Sequence, residues 1–360
     1  MSDDAVRRDP RKGRGATDNP DVRFHAHRRE AYDDGWARAD EEAPVLRTTV
    51  SLDATRSILA FNQSPDIPFD RSINPYRGCE HGCVYCFARP THAYLGLSPG
   101  LDFESRLVAK PEAPRLLREA LARPGYRCRT LALGTNTDPY QPIEREWGIT
   151  RQILEVLAEH RHPVAIVTKS ALVERDLDIL APMAAENLAA VYVSITTLDR
   201  ALARRLEPRA AAPQRRLETV RRLAEAGVPV GVMVAPLIPV LTDAELEDIL
   251  QAAAEAGAQT ASYVLLRLPL EVEGLFRDWL QVHAPLKAEH VMARVADTRG
   301  GKAYDARFGA RMRGEGVFAE LLAKRFRLAR RRLGLDGPGP ALDAGRFAPP
   351  RHGPQQLDLL

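Results

Sequence analysis

Between about residue 71 and residue 283 the chain repeats one pattern, a short β-branched run followed by a longer stretch with apolar residues at helical spacing. The spacing predicts strands over 130–133, 163–168, 190–195, 228–234 and 261–266, with a short one near Ile73. Between them, Ile149, Ile153, Val156 and Leu157 share one helical face, as do Leu217, Val220 and Leu223, and Leu246, Ile249, Leu250 and Ala253. Thr242 followed by Glu245 reads as a capping box, and Gly227 and Gly257 stand where helix ends take a positive φ. About six β-α units of this kind give parallel strands joined by right-handed crossovers. Either an open doubly wound sheet or an incomplete barrel satisfies that pattern, and periodicity does not separate them.

A chain of 360 residues accommodates one large α/β domain with appendages. Four segments are expected: a largely disordered arm and lead-in over 1–60, the β-α core over 61–290, a basic extension over 291–333 and a flexible tail over 334–360. No run of about 18 apolar residues suggests a membrane span, and the first ten residues lack the apolar stretch of a secretory signal. The expected location is the cytoplasm, where clustered thiols bind metal and do not pair as disulfides. The net charge of +3 argues for no partner by itself.

The segment from Asn74 to Pro90 carries Cys79, Cys83 and Cys86 as Cys-x3-Cys-x2-Cys. Soft sulfur ligands at this spacing point to iron-sulfur or zinc. A closed site wants four protein ligands, and the remaining cysteine, Cys128, is far along the chain. Three ligands on a four-iron cube leave one iron open to a substrate, which is a catalytic property. Zinc completed by His81 or His92 is the bland alternative.

This loop, with Tyr85 before the third cysteine, resembles that of the radical S-adenosylmethionine (radical SAM) superfamily. The resemblance implies a partial (β/α)6 TIM-type barrel, and with it a 4Fe-4S cluster on Cys79, Cys83 and Cys86. It also implies that the open iron chelates S-adenosylmethionine, which is cleaved reductively to a 5′-deoxyadenosyl radical that abstracts a substrate hydrogen. A flavodoxin- or ferredoxin-type reductant is implied as a partner. Over about 71–268 the chain is most similar to the branch containing spore photoproduct lyase and DNA-repair-photolyase-like proteins. By that resemblance Tyr85 packs near adenine, Thr137 and Asp138 are contacts for the amino group with Glu144 a further candidate, and Lys169 reaches the carboxylate. Ser194 matches a ribose contact, Ala235 a backbone contact to adenine, and Arg209 lies in the branch's next segment. All fall at C-terminal strand ends, where barrels build active sites.

The resemblance also breaks. The lyase branch keeps a hydrogen-donor cysteine at the end of the second core strand, and Thr135 stands at that place. Cys128 belongs near the opposite end of the strand, where it is expected to be structural. The function expected is a radical SAM enzyme, of lyase or oxidoreductase type, acting on DNA or RNA, because the arginine-rich segment 302–332 suits phosphates. The alternatives are modification of a protein or small molecule, and a non-catalytic iron-sulfur protein. The C-terminal Gln356, Leu357, Leu359 and Leu360 resemble the peptide by which repair proteins dock on the DNA sliding clamp.

Overall fold

The computed structural model describes residues 11–25 and 46–350. The clamp-like peptide of Gln356, Leu357, Leu359 and Leu360 lies outside the described residues. Ten strands are described: β1 (Thr49–Leu52), β2 (Leu59–Phe61), β3 (Arg71–Ile73), β4 (Tyr76–Arg77), β5 (Arg106–Ala109), β6 (Leu131–Leu133), β7 (Val164–Thr168), β8 (Ala189–Ser194), β9 (Val230–Leu237) and β10 (Thr260–Leu265).

The main sheet runs β10-β9-β8-β7-β6-β3-β2, with β2 antiparallel on the edge and every other neighbour pair parallel. Among the six parallel strands the spatial order is the chain order. A doubly wound sheet reverses direction part-way across, so the monotonic order selects the partial barrel. No pairing joins β3 to β10, and the barrel is open there. A three-stranded sheet, β1-β5-β4, stands beside it.

The core strands match the sequence expectation to within a few residues because their apolar runs are buried on both faces. Ile73, Leu131, Leu133, Val164, Ile166, Val191, Val193, Val230 and Val232 are all buried. The helices Ile149–Glu159, Pro213–Glu225 and Leu246–Glu255 turn Ile153, Leu157, Val220, Leu223, Ile249 and Leu250 onto that sheet. Each such side chain, fully withdrawn from water, contributes roughly 1.5–3 kcal/mol. Gly227 and Gly257 end their helices at φ 75° and 97°, the left-handed conformation that costs glycine least.

Three expectations are corrected. Within the supposed disordered arm, residues 11–25 form an ordered strap, with Arg14, Ala16 and Thr17 buried, and the lead-in supplies β1 and β2. Within the supposed flexible tail, Leu335 is buried, Thr260 bridges to Asp336, and Phe347 packs between Tyr126 and His162. The capping box does not form. The Thr242 hydroxyl accepts from the Ile238 N–H at 2.9 Å, and the Glu245 carboxylate accepts instead from Thr197 Oγ1 and Leu198 N, both at 2.6 Å. Both side chains are drawn into loops at the strand ends.

Candidate functional site

The cysteine loop follows β3 and β4 at the C-terminal rim of the sheet, and its shape is held from inside by Arg89. Arg89 is fully buried and donates to the carbonyls of Cys83 (2.9 Å), Gly82 (3.2 Å), Pro99 (3.1 Å) and Gly100 (2.9 Å), with Glu104 as its ion-pair partner. One planar guanidinium thereby satisfies backbone carbonyls that a tight loop cannot pair with itself. The Glu104 carboxylate also accepts from the N–H groups of Gly15 and Ala16, each at 2.9 Å, which fastens the strap against the loop. Contact there is so close that a Cβ on Gly15 would lie 1.8 Å from the Gly82 carbonyl oxygen.

The thiols of Cys79, Cys83 and Cys86 are unpaired. Burial pushes all three above the ordinary thiol pKa, Asp138 adds to this at Cys79 and Glu207 at Cys83, and neighbouring thiols raise Cys79 and Cys83 further. Such thiols become ligands when metal supplies the positive charge that a thiolate needs. Among the described residues no three His, Cys, Asp or Glu side chains are grouped to hold a single metal ion. A four-iron cube suits the loop better, since each cysteine then holds a different iron.

Beside the loop, three strand ends and one later segment converge. Lys169 follows β7, Ser194 ends β8, Ala235 lies in β9, and Glu207 comes from the segment after β8. Lys169 Nζ donates to Ser194 Oγ at 2.5 Å and to the Ala235 carbonyl at 2.9 Å, and lies 3.5 Å from Glu207 Oε1. Its ammonium also lies 5.9 Å from the centroid of the Tyr85 ring. Glu207 is buried and accepts from the Tyr85 hydroxyl, from Thr196 Oγ1 at 2.8 Å and from Arg216, itself buried. Burial alone would raise the Glu207 pKa, but Arg216 and Lys169 hold it well below the usual carboxylate range. The group is therefore a pocket of fixed charge, with a cation aimed between a carboxylate, a hydroxyl and a carbonyl.

The turn after β6 performs a different task. Gly134 takes φ 87°, and a Cβ there would lie 2.0 Å from the Val167 carbonyl oxygen, so glycine is required. Thr137 donates to the Gly78 carbonyl at 2.6 Å. The Asp138 carboxylate accepts from Thr168 Oγ1 (2.7 Å), Lys169 N (2.8 Å) and Tyr140 N (2.9 Å), and lies 3.3 Å from His81 Nδ1. Despite burial, those partners keep Asp138 below its ordinary pKa. Thr137 and Asp138 thus brace the cysteine loop against β7. Glu144 faces away, buried against Tyr76, Arg175 and the Thr150 N–H. Arg209 pairs with buried Glu80 at 2.9 Å, next to the loop. Thr135 Oγ1 donates to Asn74 Oδ1 at 3.3 Å, while Cys128 lies beyond the opposite end of β6, half-buried near Arg71.

The pattern described as the Radical SAM superfamily matches residues 73–253, from β3 through the helix Leu246–Glu255. The chain belongs to the radical SAM superfamily. Radical SAM proteins use a 4Fe-4S cluster and S-adenosylmethionine, and the three-cysteine loop with its open fourth position fits that cofactor. An uncharacterized protein of Mycobacterium tuberculosis is 41% identical over 226 residues, covering 61% of this chain and 66% of that protein. An uncharacterized Methanocaldococcus jannaschii protein is 26% identical over 227 residues, covering 63% and 81%. The chain thus spans just under two thirds of the length of its mycobacterial relatives (66%). Among solved structures, spore photoproduct lyase complexed with dinucleoside spore photoproduct aligns at TM-score 0.55 and 15% identity, covering 79% of each chain. That likeness shows a shared fold. No helix among the described residues is long and apolar enough to cross a membrane.

Sequence reasoning gave no site role to Glu207, Arg216 or Thr196, which the structure gathers around Tyr85 and Lys169. Their charge and hydrogen-bonding gave no sign of burial, because the carboxylate and guanidinium neutralise each other only in three dimensions. A signal existed in Leu206 and Leu217, apolar residues flanking the acidic and basic groups.

Proposed function

We propose that this chain is a radical SAM enzyme whose substrate is a nucleic acid. Cys79, Cys83 and Cys86 would hold the 4Fe-4S cluster, which with an external flavodoxin- or ferredoxin-type reductant supplies the electron that cleaves S-adenosylmethionine. The observation that carries this reading is the convergence of Lys169, Ser194, Ala235 and Tyr85 beside the cysteine loop. A carboxylate of S-adenosylmethionine would draw the Lys169 ammonium from Ser194 and the Ala235 carbonyl, freeing the hydroxyl for the ribose and the carbonyl for adenine. Tyr85, anchored through Glu207, offers a ring face to adenine. Thr137 and Asp138 would act by holding the loop, and Arg209 by neutralising Glu80 beside it.

The nucleic-acid part of the reading is supported by charge. Several arginines of the basic extension are spent inside the fold: Arg325 on Glu247 and Arg311 on Asp66, both at 2.5 Å. Lys302, Arg313, Lys324, Arg327, Arg331 and Arg332 remain exposed, which suits a phosphate backbone. With Thr135 in place of a donor cysteine, the product radical is quenched from elsewhere, since a hydroxyl hydrogen is too strongly bound to replace a thiol's.

Anaerobic reconstitution with iron, sulfide, dithionite and S-adenosylmethionine tests the first part: 5′-deoxyadenosine and methionine are expected, and their absence ends the enzymatic reading. Deuterated DNA and RNA added to that assay test the second, with label expected in 5′-deoxyadenosine. Label from neither nucleic acid would transfer the assignment to a protein or small-molecule substrate.

A further inference from the structure

Two residues past β10, on the rim that carries the cysteine loop, Arg267 has almost no polar partner among the described residues. Its guanidinium lies over Phe87 at 4.8 Å from the ring centroid, and Phe87 directly follows Cys86. Among the described residues Nη1 meets only the thioether sulfur of Met312, at 3.3 Å, and the buried Nε has no hydrogen-bond partner. The carboxylates around this rim are engaged elsewhere. Asp66 accepts from Arg311 (2.5 Å) and the Gly309 N–H (2.7 Å), Asp305 from Arg307, and Glu271 from Arg23. A cation with five N–H donors and one weak acceptor is poorly satisfied, and an arriving anion would correct that.

A second ring lies beside an arginine that is already paired, since Arg311 donates to Asp66 and to Ser64 Oγ. Arg311 lies over Phe308 at 4.7 Å, Met312 links it to Arg267, and Asp66 lies close enough to feel both arginines. Phe87 is 46% exposed and Phe308 61% exposed, so both rings present area to solvent with an arginine on one face. Aromatic rings interleaved with arginines, beside a catalytic opening, are the arrangement by which single strands are gripped: bases stack on rings and phosphates meet guanidinium groups.

We propose that Arg267 with the rings of Phe87 and Phe308 forms a shelf that seats successive nucleotides of a single-stranded nucleic acid, with a phosphodiester on Arg267 and bases against Phe87 and Phe308, Arg311 serving only to back the Phe308 ring. The inference rests on the nucleic-acid reading above and deepens it, because it names the strand state and the side chains that grip it. Position follows from it as well: a base on Phe87 stands one residue from the third cluster cysteine.

Fluorescence anisotropy of the reconstituted holoprotein decides it, using a labelled single-stranded oligonucleotide in deoxy and ribo forms and the same sequence as a duplex. The single strand is expected to bind more tightly than the duplex, and the tighter of the deoxy and ribo forms identifies the source. Arg267→Gln should weaken binding about tenfold and reduce the slope of log K against log salt by about one unit. Arg267→Lys should restore the slope, while Phe87→Leu should weaken binding with the slope unchanged. A merely structural role for Arg267 would lower affinity without moving the slope. An unchanged slope in Arg267→Gln, or a preference for the duplex, overturns the shelf while leaving a nucleic-acid substrate in place. If the wild-type holoprotein binds none of the three, both readings fall.

Discussion

Glu207 is enclosed by Arg216, Tyr85, Thr196 and Lys169, so its charge is balanced from several sides. Replacing it with leucine leaves the Arg216 guanidinium buried and unpaired. Breaking such a pair from one side costs about 3–5 kcal/mol, and Glu207→Leu should lose that much in urea unfolding at pH 7. Glu207→Gln, which keeps an acceptor, should lose less. Lys169 carries the complementary prediction. Lys169→Met removes the cation proposed for the cofactor carboxylate while keeping most of the stem's volume. The dissociation constant for S-adenosylmethionine should rise about tenfold to a hundredfold by calorimetry, in line with a charge-assisted bond of about 1.5–3 kcal/mol. An unchanged constant would place the carboxylate elsewhere. The contact of Glu207 with Tyr85 was not legible along the chain, because it spans 122 positions and no local pattern records it.

The elements divide by what orders them. β7 to β9 were readable because β-branched runs that are buried announce themselves locally, and β6 and β10 because their short apolar runs keep the spacing of the β-α repeat. The strap over residues 11–25 was not, since its glycines and mixed charges carry no periodicity. Its order comes from partners far away: Arg14 donates to the Glu104 carbonyl at 2.6 Å, and Arg23 pairs with Glu271 at 2.7 Å. The capping box failed for the reverse reason. Local spacing promised it, and Thr197 and Leu198 outcompeted it for Glu245. The cysteine loop was legible in its ligands but not in its support, because Arg89 reads as one more surface arginine. A direct test of the strap is Gly15→Val, whose Cβ cannot fit beside Gly82. Limited proteolysis should then cut within 11–25 faster than in wild type, and the reconstituted cluster should bleach faster in air.

Across the whole molecule, the first and last described segments are fastened to opposite sides of the barrel. The strap is on the cysteine-loop side, while Phe347 closes over Tyr126 and His162 near the N-terminal end of β7. His162 is fully buried, with Nδ1 donating to the Pro163 carbonyl at 3.1 Å and Nε2 accepting from the Tyr126 hydroxyl at 2.8 Å. Burial, with Arg71 and His160 adding to it, lowers its pKa to about 4. A histidine held neutral in this way contributes stability that is complete above the unfolded value of about 6.5 and is lost as pH falls toward 4. Glu207, depressed below the carboxylate range, loses its contribution only at lower pH still. His92, whose pKa burial also lowers to about 4, shares the histidine window. Unfolding free energy should therefore decline between pH 6.5 and 4, by up to about 3 kcal/mol per histidine. His162→Phe should flatten that decline; an identical pH profile would remove His162 from the account. The strap has a last consequence, for how the cysteine loop is loaded. Its anchors Glu104 and Glu271 stand on elements far along the chain that come together only as the barrel folds, and once seated it covers one side of the cysteine loop. Iron and sulfide should therefore enter before the strap latches. Apoprotein lacking residues 1–25 should take up both faster than the full-length apoprotein, and equal rates would show that loading passes by another side.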